Sequence, residues 1–395
     1  MKTIATQLIA IAVCTSACGN TGNTDATTDP DPAVAPTVVP QDTAATAIED
    51  YAVYDYDRYA RLGKCAELVY HSAEATRLTA DIERDSILTS RLAEMGITPL
   101  KVTDSIAAHR QLAIIARKQC AATSGFKTEA FYDTVRHKYI LSFAGTEPQS
   151  ADIITDIDGS FSMDEPQNRS ALNTVSDAIA AISAITGITP FEAAAQMELT
   201  GHSLGGRLAS VASICYGIDA VVYNPANIPI DLQKQMLTDR QYRDNASRHL
   251  WRIHSAGDEL TRGMNLGEQI RPLVPAISKA LDSGTEWLGD TSSLGTLKSI
   301  VSYAPEIAGA ADAILDFFTS SDGDDNASGH ESNTKIILAL IKNMRRYNIN
   351  ADDLQNPLFY RYQGNEVTPT PGRGGHSITR LNNDIDSINA LIDRL

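Results

Sequence analysis

The run Met197-Glu198-Leu199-Thr200-Gly201-His202-Ser203-Leu204-Gly205-Gly206 holds a serine between two glycines at the spacing G-x-S-x-G. A serine hydroxyl is a weak nucleophile until a base within hydrogen-bond reach takes its proton and a carboxylate orients that base. The spacing adds geometry to that chemistry. The residues before the motif read as a short strand, and those after it as a helix with Leu204, Leu208, Val211, Ala212 and Cys215 on one face. A serine on so sharp a strand-to-helix turn projects its hydroxyl above the sheet. Gly201 and Gly205 suit the turn because it leaves no room for a Cβ on either side.

In the α/β-hydrolase arrangement the partners follow the serine along the chain, acid first and histidine second. Of the eight histidines, His71, His109, His137 and His202 do not come after Ser203, and His202, inside the turn itself, is expected to point elsewhere. His249 and His254 precede or sit inside the stretch Leu250-Trp251-Arg252-Ile253-His254-Ser255, the strand expected to deliver the acid. That strand runs into Ala256-Gly257-Asp258, which puts the Asp258 carboxylate just past the strand's C-terminal edge, on the rim where the nucleophile sits. His330 and His376 remain. His330 follows an acidic, solvent-suited stretch, whereas His376 lies in the glycine-rich Gly372-Arg373-Gly374-Gly375-His376-Ser377, which can fold back over the sheet edge. His376 is therefore the expected base. Two donors must also face the charge that develops on the substrate oxygen. The Leu204 N–H is one, and Thr146, in the loop Phe143-Ala144-Gly145-Thr146-Glu147 after an earlier strand, is placed to be the other.

The elements around these residues follow from periodicity. From Tyr51 to about Ala122 the pattern is helical, broken in the middle by Gly96 and Pro99, and Tyr51, Tyr54, Tyr56 and Tyr59 read as an aromatic seam against the core. Glu129–Asp133 and Lys138–Phe143 read as a hairpin with Arg136 and His137 near its turn. Asn168 to Thr186 is a predicted helix with Leu172, Val175, Ile179, Ile182 and Ile185 inward. Ala220–Tyr223 and Leu250–His254 are short apolar strands, and Ile378 to Leu395 a final helix. Short apolar strands alternating with helices imply the α/β class: a mostly parallel sheet flanked by helices, with N-terminal helices and a helical insertion over about 263–350. Within that insertion Ser320 to Asn326 lacks the glycine and glutamate of a calcium loop and is read as a solvated loop.

Composition bounds the partners. With 395 residues, 43% hydrophobic, 21% charged and a formal net charge of -16, the chain is globular and unsuited to nucleic-acid phosphates or to polybasic docking on anionic lipid. Residues 1–17 have the layout of a secretory signal, and Thr15-Ser16-Ala17-Cys18-Gly19 resembles a bacterial lipoprotein cleavage box, with Cys18 as the lipidated residue. Thr15 stands where such boxes carry an aliphatic residue, so secretion without lipid is the alternative to an anchor in the cell envelope. Residues 18–48, rich in Thr, Asp, Pro and Ala, read as a disordered tether, and 49–395 as the folded domain. Cys65 and Cys120, both in the N-terminal helical region of an exported chain, are expected to pair, with Cys215 a buried free thiol.

Three stretches in order, Ser142-Phe143-Ala144-Gly145-Thr146-Glu147 with Thr155-Asp156, then Thr200 to Gly206, then Ala256-Gly257-Asp258, resemble the class 3 lipase family. The resemblance covers about Phe126 to Arg262 and the loop around His376. It implies a serine esterase acting on lipid acyl esters, with Ser203, Asp258 and His376 as the triad, Thr146 as the oxyanion threonine, and no cofactor or metal. Ala144 departs from the arginine many members carry. The long segment between Asp258 and His376 leaves two candidates for a lid: the insertion, or Pro148 to Gln167. Acyl transfer or thioester cleavage with the same triad, and a non-catalytic envelope protein that binds a partner, are the competing expectations.

Overall fold

A computed structural model of the chain describes residues 55–70, 79–123, 125–145, 163–255, 258, 363–368 and 376–392. Helix α1 (Tyr56–Leu68) begins at Asp55, whose carboxylate accepts the Arg58 N–H at 2.9 Å. Helix α2 (Thr79–Glu94), strand β1 (Ile97–Pro99) and helix α3 (Ala107–Ala122) follow. Strands β2 (Thr128–Asp133) and β3 (Lys138–Phe143) form the expected antiparallel hairpin, with Phe131 opposite Ile140. The chain then alternates through α4 (Pro166–Thr186), α5 (Pro190–Ala195), β4 (Met197–His202), α6 (Leu204–Tyr216), β5 (Asp219–Tyr223), α7 (Ile230–Thr238), α8 (Arg240–His249) and β6 (Leu250–Ile253). Strand β7 (Asn365–Val367) and helix α9 (Ile378–Ile392) complete the described elements.

The seven strands lie in the sheet in chain order, β1 to β7, antiparallel from β1 to β3 and parallel from β3 to β7. This is the expected α/β architecture, a mostly parallel sheet flanked by helices. The unbroken strand order has a consequence for the two faces. Crossovers of a single hand between successive neighbours put their helices on one side of a sheet. Residues of α4, α5, α6, α7 and α8, together with α3, accordingly share one apolar core. The opposite face is covered by α1, α2 and α9, the first two and the last of the described helices.

On that second face α1 is tied down by charge as well as by apolar contact. Arg58 reaches Glu198 on β4 at 2.7 Å, Arg61 reaches Asp133 on β2 at 2.5 Å, and Lys64 pairs with Asp386 on α9. Glu67 accepts from Thr379 at 2.7 Å and from Asn382 at 2.9 Å. Pairs of this kind do little for net stability compared with apolar packing, but losing one partner of the buried Arg61–Asp133 pair strands a charge at about 3–5 kcal/mol. The contacts from Lys64 and Glu67 fix where α9 sits. Tyr56 and Tyr59 form the expected seam, edge to face at 5.6 Å; Tyr51 and Tyr54 lie outside the described residues.

Several expectations are corrected. The break at Gly96 and Pro99 is not only a break: Ile97–Pro99 pairs with β2 as an edge strand, where a proline costs no ladder bond. The buried side of α4 is Ala171, Thr174, Val175, Ala178 and Ile182, while Leu172 and Ile179 are partly buried and Ile185 is exposed. Cys65 and Cys120 are both free thiols. Cys65 is on α1 and packs with the second core, whereas α3, which carries Cys120, packs in the first, so the sheet lies between them. Burial and nearby carboxylates hold the Cys65 thiol well above its ordinary pKa. The Cys120 Sγ instead accepts the Thr128 N–H at 3.2 Å. Cys215 is free and partly buried rather than fully so, its pKa pushed up to about 12 by burial and Asp231. The expected leader, tether, insertion over about 263–350 and solvated loop Ser320 to Asn326 lie outside the described residues.

Alkylation in denaturant without reductant is expected to modify Cys65, Cys120 and Cys215 in full, read by peptide mass, with the melting temperature indifferent to reductant. A linked peptide containing Cys65 and Cys120 would contradict this placement.

Candidate active site

Strand β4 delivers the nucleophile motif to the sheet's C-terminal edge. Ser203, between β4 and α6, has φ +57° and ψ -125°, a conformation that costs a non-glycine residue about 1–3 kcal/mol. The surroundings hold it there: the Ser203 N–H donates to the Tyr223 carbonyl at 3.0 Å, and the Ser203 carbonyl accepts the N–H groups of Ala226 at 3.0 Å and Arg207 at 3.2 Å. The two motif glycines are sterically required. A Cβ on Gly205 would lie 2.0 Å from the Phe143 carbonyl oxygen, and one on Gly201 would lie 2.3 Å from the Gly205 oxygen.

Asp258 and His376 arrive from far along the chain. After β6, the Ser255 N–H donates to Asn224 Oδ1 at 3.1 Å, and the Asp258 N–H donates to the Ser255 carbonyl at 3.0 Å. Asp258 is thereby held in a fully buried position. His376 sits immediately ahead of α9, whose first turn is closed by Leu381 N–H to the Ser377 carbonyl at 3.1 Å. The imidazole spans the two: Nδ1 lies 2.6 Å from Asp258 Oδ1, and Nε2 lies 2.9 Å from Ser203 Oγ. A carboxylate accepts, so Nδ1–H donates to Asp258 and bare Nε2 faces the serine hydroxyl. That leaves Ser203 with an acceptor for its proton, and the acceptor with a buried anion behind it.

Leu204 is the first residue of α6, and the helix leaves its first N–H groups unpaired. Phe143 and Ala144 run past the elbow to Gly145, which packs against the Ser203 Cβ. Thr146, His330 and Cys18 lie outside the described residues. His249 pairs with Asp219 at 2.8 Å, His254 with Glu366 at 2.9 Å, and His109 packs on Tyr132 with ring centroids 4.6 Å apart.

The His202 ring nitrogens bond groups other than the Ser203 hydroxyl, yet the ring lies beside His376. Side chains alternate across β4, and Thr200 and His202 fall on the α1 side, where the Thr200 hydroxyl bonds the Leu62 carbonyl at 3.3 Å. That face also receives His376. The two imidazole rings are 4.7 Å apart, His202 Nε2 is 2.6 Å from the His376 carbonyl, and Nδ1 is 2.8 Å from the Tyr70 hydroxyl. The signal available in sequence was the two-residue period of the strand, which separates the His202 side chain from Gly201 and aligns it with Thr200.

Burial, reinforced by His376, lowers the His202 pKa to about 3 from the ordinary value of about 6.5. Between those values the unfolded chain binds a proton at this residue and the folded chain does not, so stability falls as pH drops from 6.5 toward 3. Unfolding free energies of His202→Gln from urea titrations are expected to fall less steeply over that range, by up to about 1.4 kcal/mol per pH unit. Parallel slopes for the two proteins would contradict the assignment.

The family model described as a Tle-like phospholipase domain matches residues 101–314, which include Ser203, Leu204 and Asp258. Among solved structures the chain is similar to the Lip2 lipase of Yarrowia lipolytica, at 16% identity and a TM-score of 0.30, over 52% of this chain and 72% of that one. No curated protein matches. The family model covers more than half of the chain, through the strand-to-helix elbow and the acid-bearing loop, and the chain belongs to the phospholipase-like family of Tle-like domains.

Proposed function

We propose that this chain is a serine hydrolase that cleaves acyl esters of lipids, phospholipids foremost, with Ser203 as nucleophile, His376 as base and Asp258 as the group that orients the base. One observation carries the reading: a single imidazole hydrogen-bonds the elbow hydroxyl with one nitrogen and a fully buried carboxylate with the other. Membership in a phospholipase-like family supports the lipid ester as substrate.

In this mechanism Ser203 Oγ attacks the ester carbonyl carbon while His376 Nε2 takes its proton. The imidazolium formed is stabilised by Asp258 through Nδ1–H. The carbonyl oxygen becomes an oxyanion, facing the Leu204 N–H and, by the resemblance noted in the sequence, Thr146. Collapse breaks the bond to the alcohol oxygen, which leaves with the proton from His376, and the acyl group stays on Ser203. Water then attacks the acyl-serine with His376 again as base, releasing the fatty acid. A chain tethered through a lipidated Cys18 would carry out this reaction beside a membrane in the bacterial cell envelope.

A fluorophosphonate probe is expected to label Ser203 and no other residue. Ser203→Ala and His376→Ala should each lower turnover of a phospholipid or p-nitrophenyl ester by about 10⁴-fold or more, Asp258→Asn by a similar factor, and His330→Ala by none. Free fatty acid should be the product even with an alcohol acceptor present. An inactive His330→Ala beside an active His376→Ala would overturn the assignment of the base, and dominant acyl transfer to the alcohol would overturn hydrolysis.

A further inference from the structure

The side of β4 that faces α1 is polar at every second position, and each position meets a successive point of the chain from α1 onward. Glu198 meets Arg58, Thr200 meets the Leu62 carbonyl, and His202 meets Tyr70, just past the helix end. The first two contacts secure α1. The third does something else, because His202 is bonded on its far side to the backbone of the residue proposed as the base.

The proton positions in this contact follow from the partner atoms. The His376 carbonyl oxygen can only accept, so His202 Nε2, 2.6 Å away, carries the hydrogen. A neutral imidazole then has a bare Nδ1, and the Tyr70 hydroxyl at 2.8 Å must donate to it. The line therefore runs in one direction: Tyr70 O–H to His202 Nδ1, then His202 Nε2–H to the His376 carbonyl. The same pair bears on the nucleophile. A Cβ at Gly145 would be 2.3 Å from the Tyr70 hydroxyl oxygen, 2.6 Å from the His202 carbonyl oxygen and 3.1 Å from the Ser203 Cβ, so phenol, elbow and the loop after β3 crowd one point.

We propose that His202 and Tyr70 are positioning residues for the reaction assigned above: the His202 N–H holds the backbone of His376, so that its imidazole reaches Ser203 and Asp258 together. The inference rests on the reading of Ser203 as nucleophile. Neutrality suits the role. When His376 becomes an imidazolium, a second cation 4.7 Å away would oppose it, and burial keeps His202 uncharged. A shift of about 1 Å in a catalytic group can cost about 10²-fold in rate, which sets the scale of the expected effects.

The test compares three variants of the full chain, scored by fluorophosphonate labelling of Ser203 and by turnover of a soluble short-chain ester. His202→Met removes the donor while filling the space, and should lower labelling and kcat by about 10- to 100-fold with KM changed by less than about twofold. His202→Gln restores an N–H near the Nε2 position and should recover to within about threefold of the parent. Tyr70→Phe frees Nδ1 and should cost about three- to tenfold. Equal losses in Met and Gln, or parental rates in Met, would overturn the inference while leaving the nucleophile assignment standing. A parent chain that fails to label at Ser203 would overturn both. A measurement on the parent covers the case of a variant that does not fold. With ¹⁵N-labelled histidine, His202 should show the Nε2–H tautomer without titrating between pH 5 and 9, and an Nδ1–H tautomer or a titration in that range would overturn it.

Discussion

Close contact between the strand-to-helix elbow and the carbonyl of Phe143 is the constraint from which the rest of the site follows. There is no space for a side-chain carbon at Gly205 or Gly201, so β3, β4 and α6 approach as near as backbone atoms allow. Only at that distance does the turn force Ser203 into a positive φ and raise its hydroxyl above the sheet edge. The strain is local, and the bonds from Ser203 to Tyr223, Ala226 and Arg207 hold it in place. The same approach brings the chain after β3 beside Ser203, where the proposed reaction needs its oxyanion donors.

The sheet's winding explains how the base reaches that point. Because the strands follow one another in order, the described crossover helices occupy one face, and the other is covered by α1, α2 and α9. Helix α9 is held against α1 by Lys64, Glu67 and Asn382, and His376 is two residues ahead of its first turn. Docking of the C-terminal helix and placement of the imidazole are thus one event. Helix α1 serves the site twice, through the polar contacts that seat α9 and through Tyr70 beyond its end.

Sequence reasoning reached the three residues that the structure brings within hydrogen-bond distance of one another, because their positions rest on order and type. Glycines flanking a serine, an aspartate past a strand and a histidine ahead of the last helix mark one rim of a parallel sheet, and the hairpin of β2 and β3 is plain from alternation. What it missed depends on neighbours that no local pattern reports. Strands β1 and β7 are three residues each, with Pro99 in one and Asn365 and Glu366 in the other, and are strands only because β2 and β6 offer an edge. Helix α8 buries little beyond Ala246 and so has no apolar stripe to read. The pairing of Cys65 with Cys120 failed because nearness along the chain does not say which face of a sheet a helix covers. Chain order and its place in the turn exclude His202 as the base, and neither reports that strand alternation puts it on the side that receives His376.

The function proposed here comes down to one chemical statement: the acyl group of a lipid ester passes through a covalent bond to the elbow serine. Rapid quenching of a phospholipid reaction, followed by peptide mass analysis, tests it most directly. The account predicts a transient peptide containing Ser203 that is heavier by the mass of the substrate's acyl chain and disappears as fatty acid accumulates. Turnover with no acylated peptide, or with the acyl group on a different residue, would contradict it.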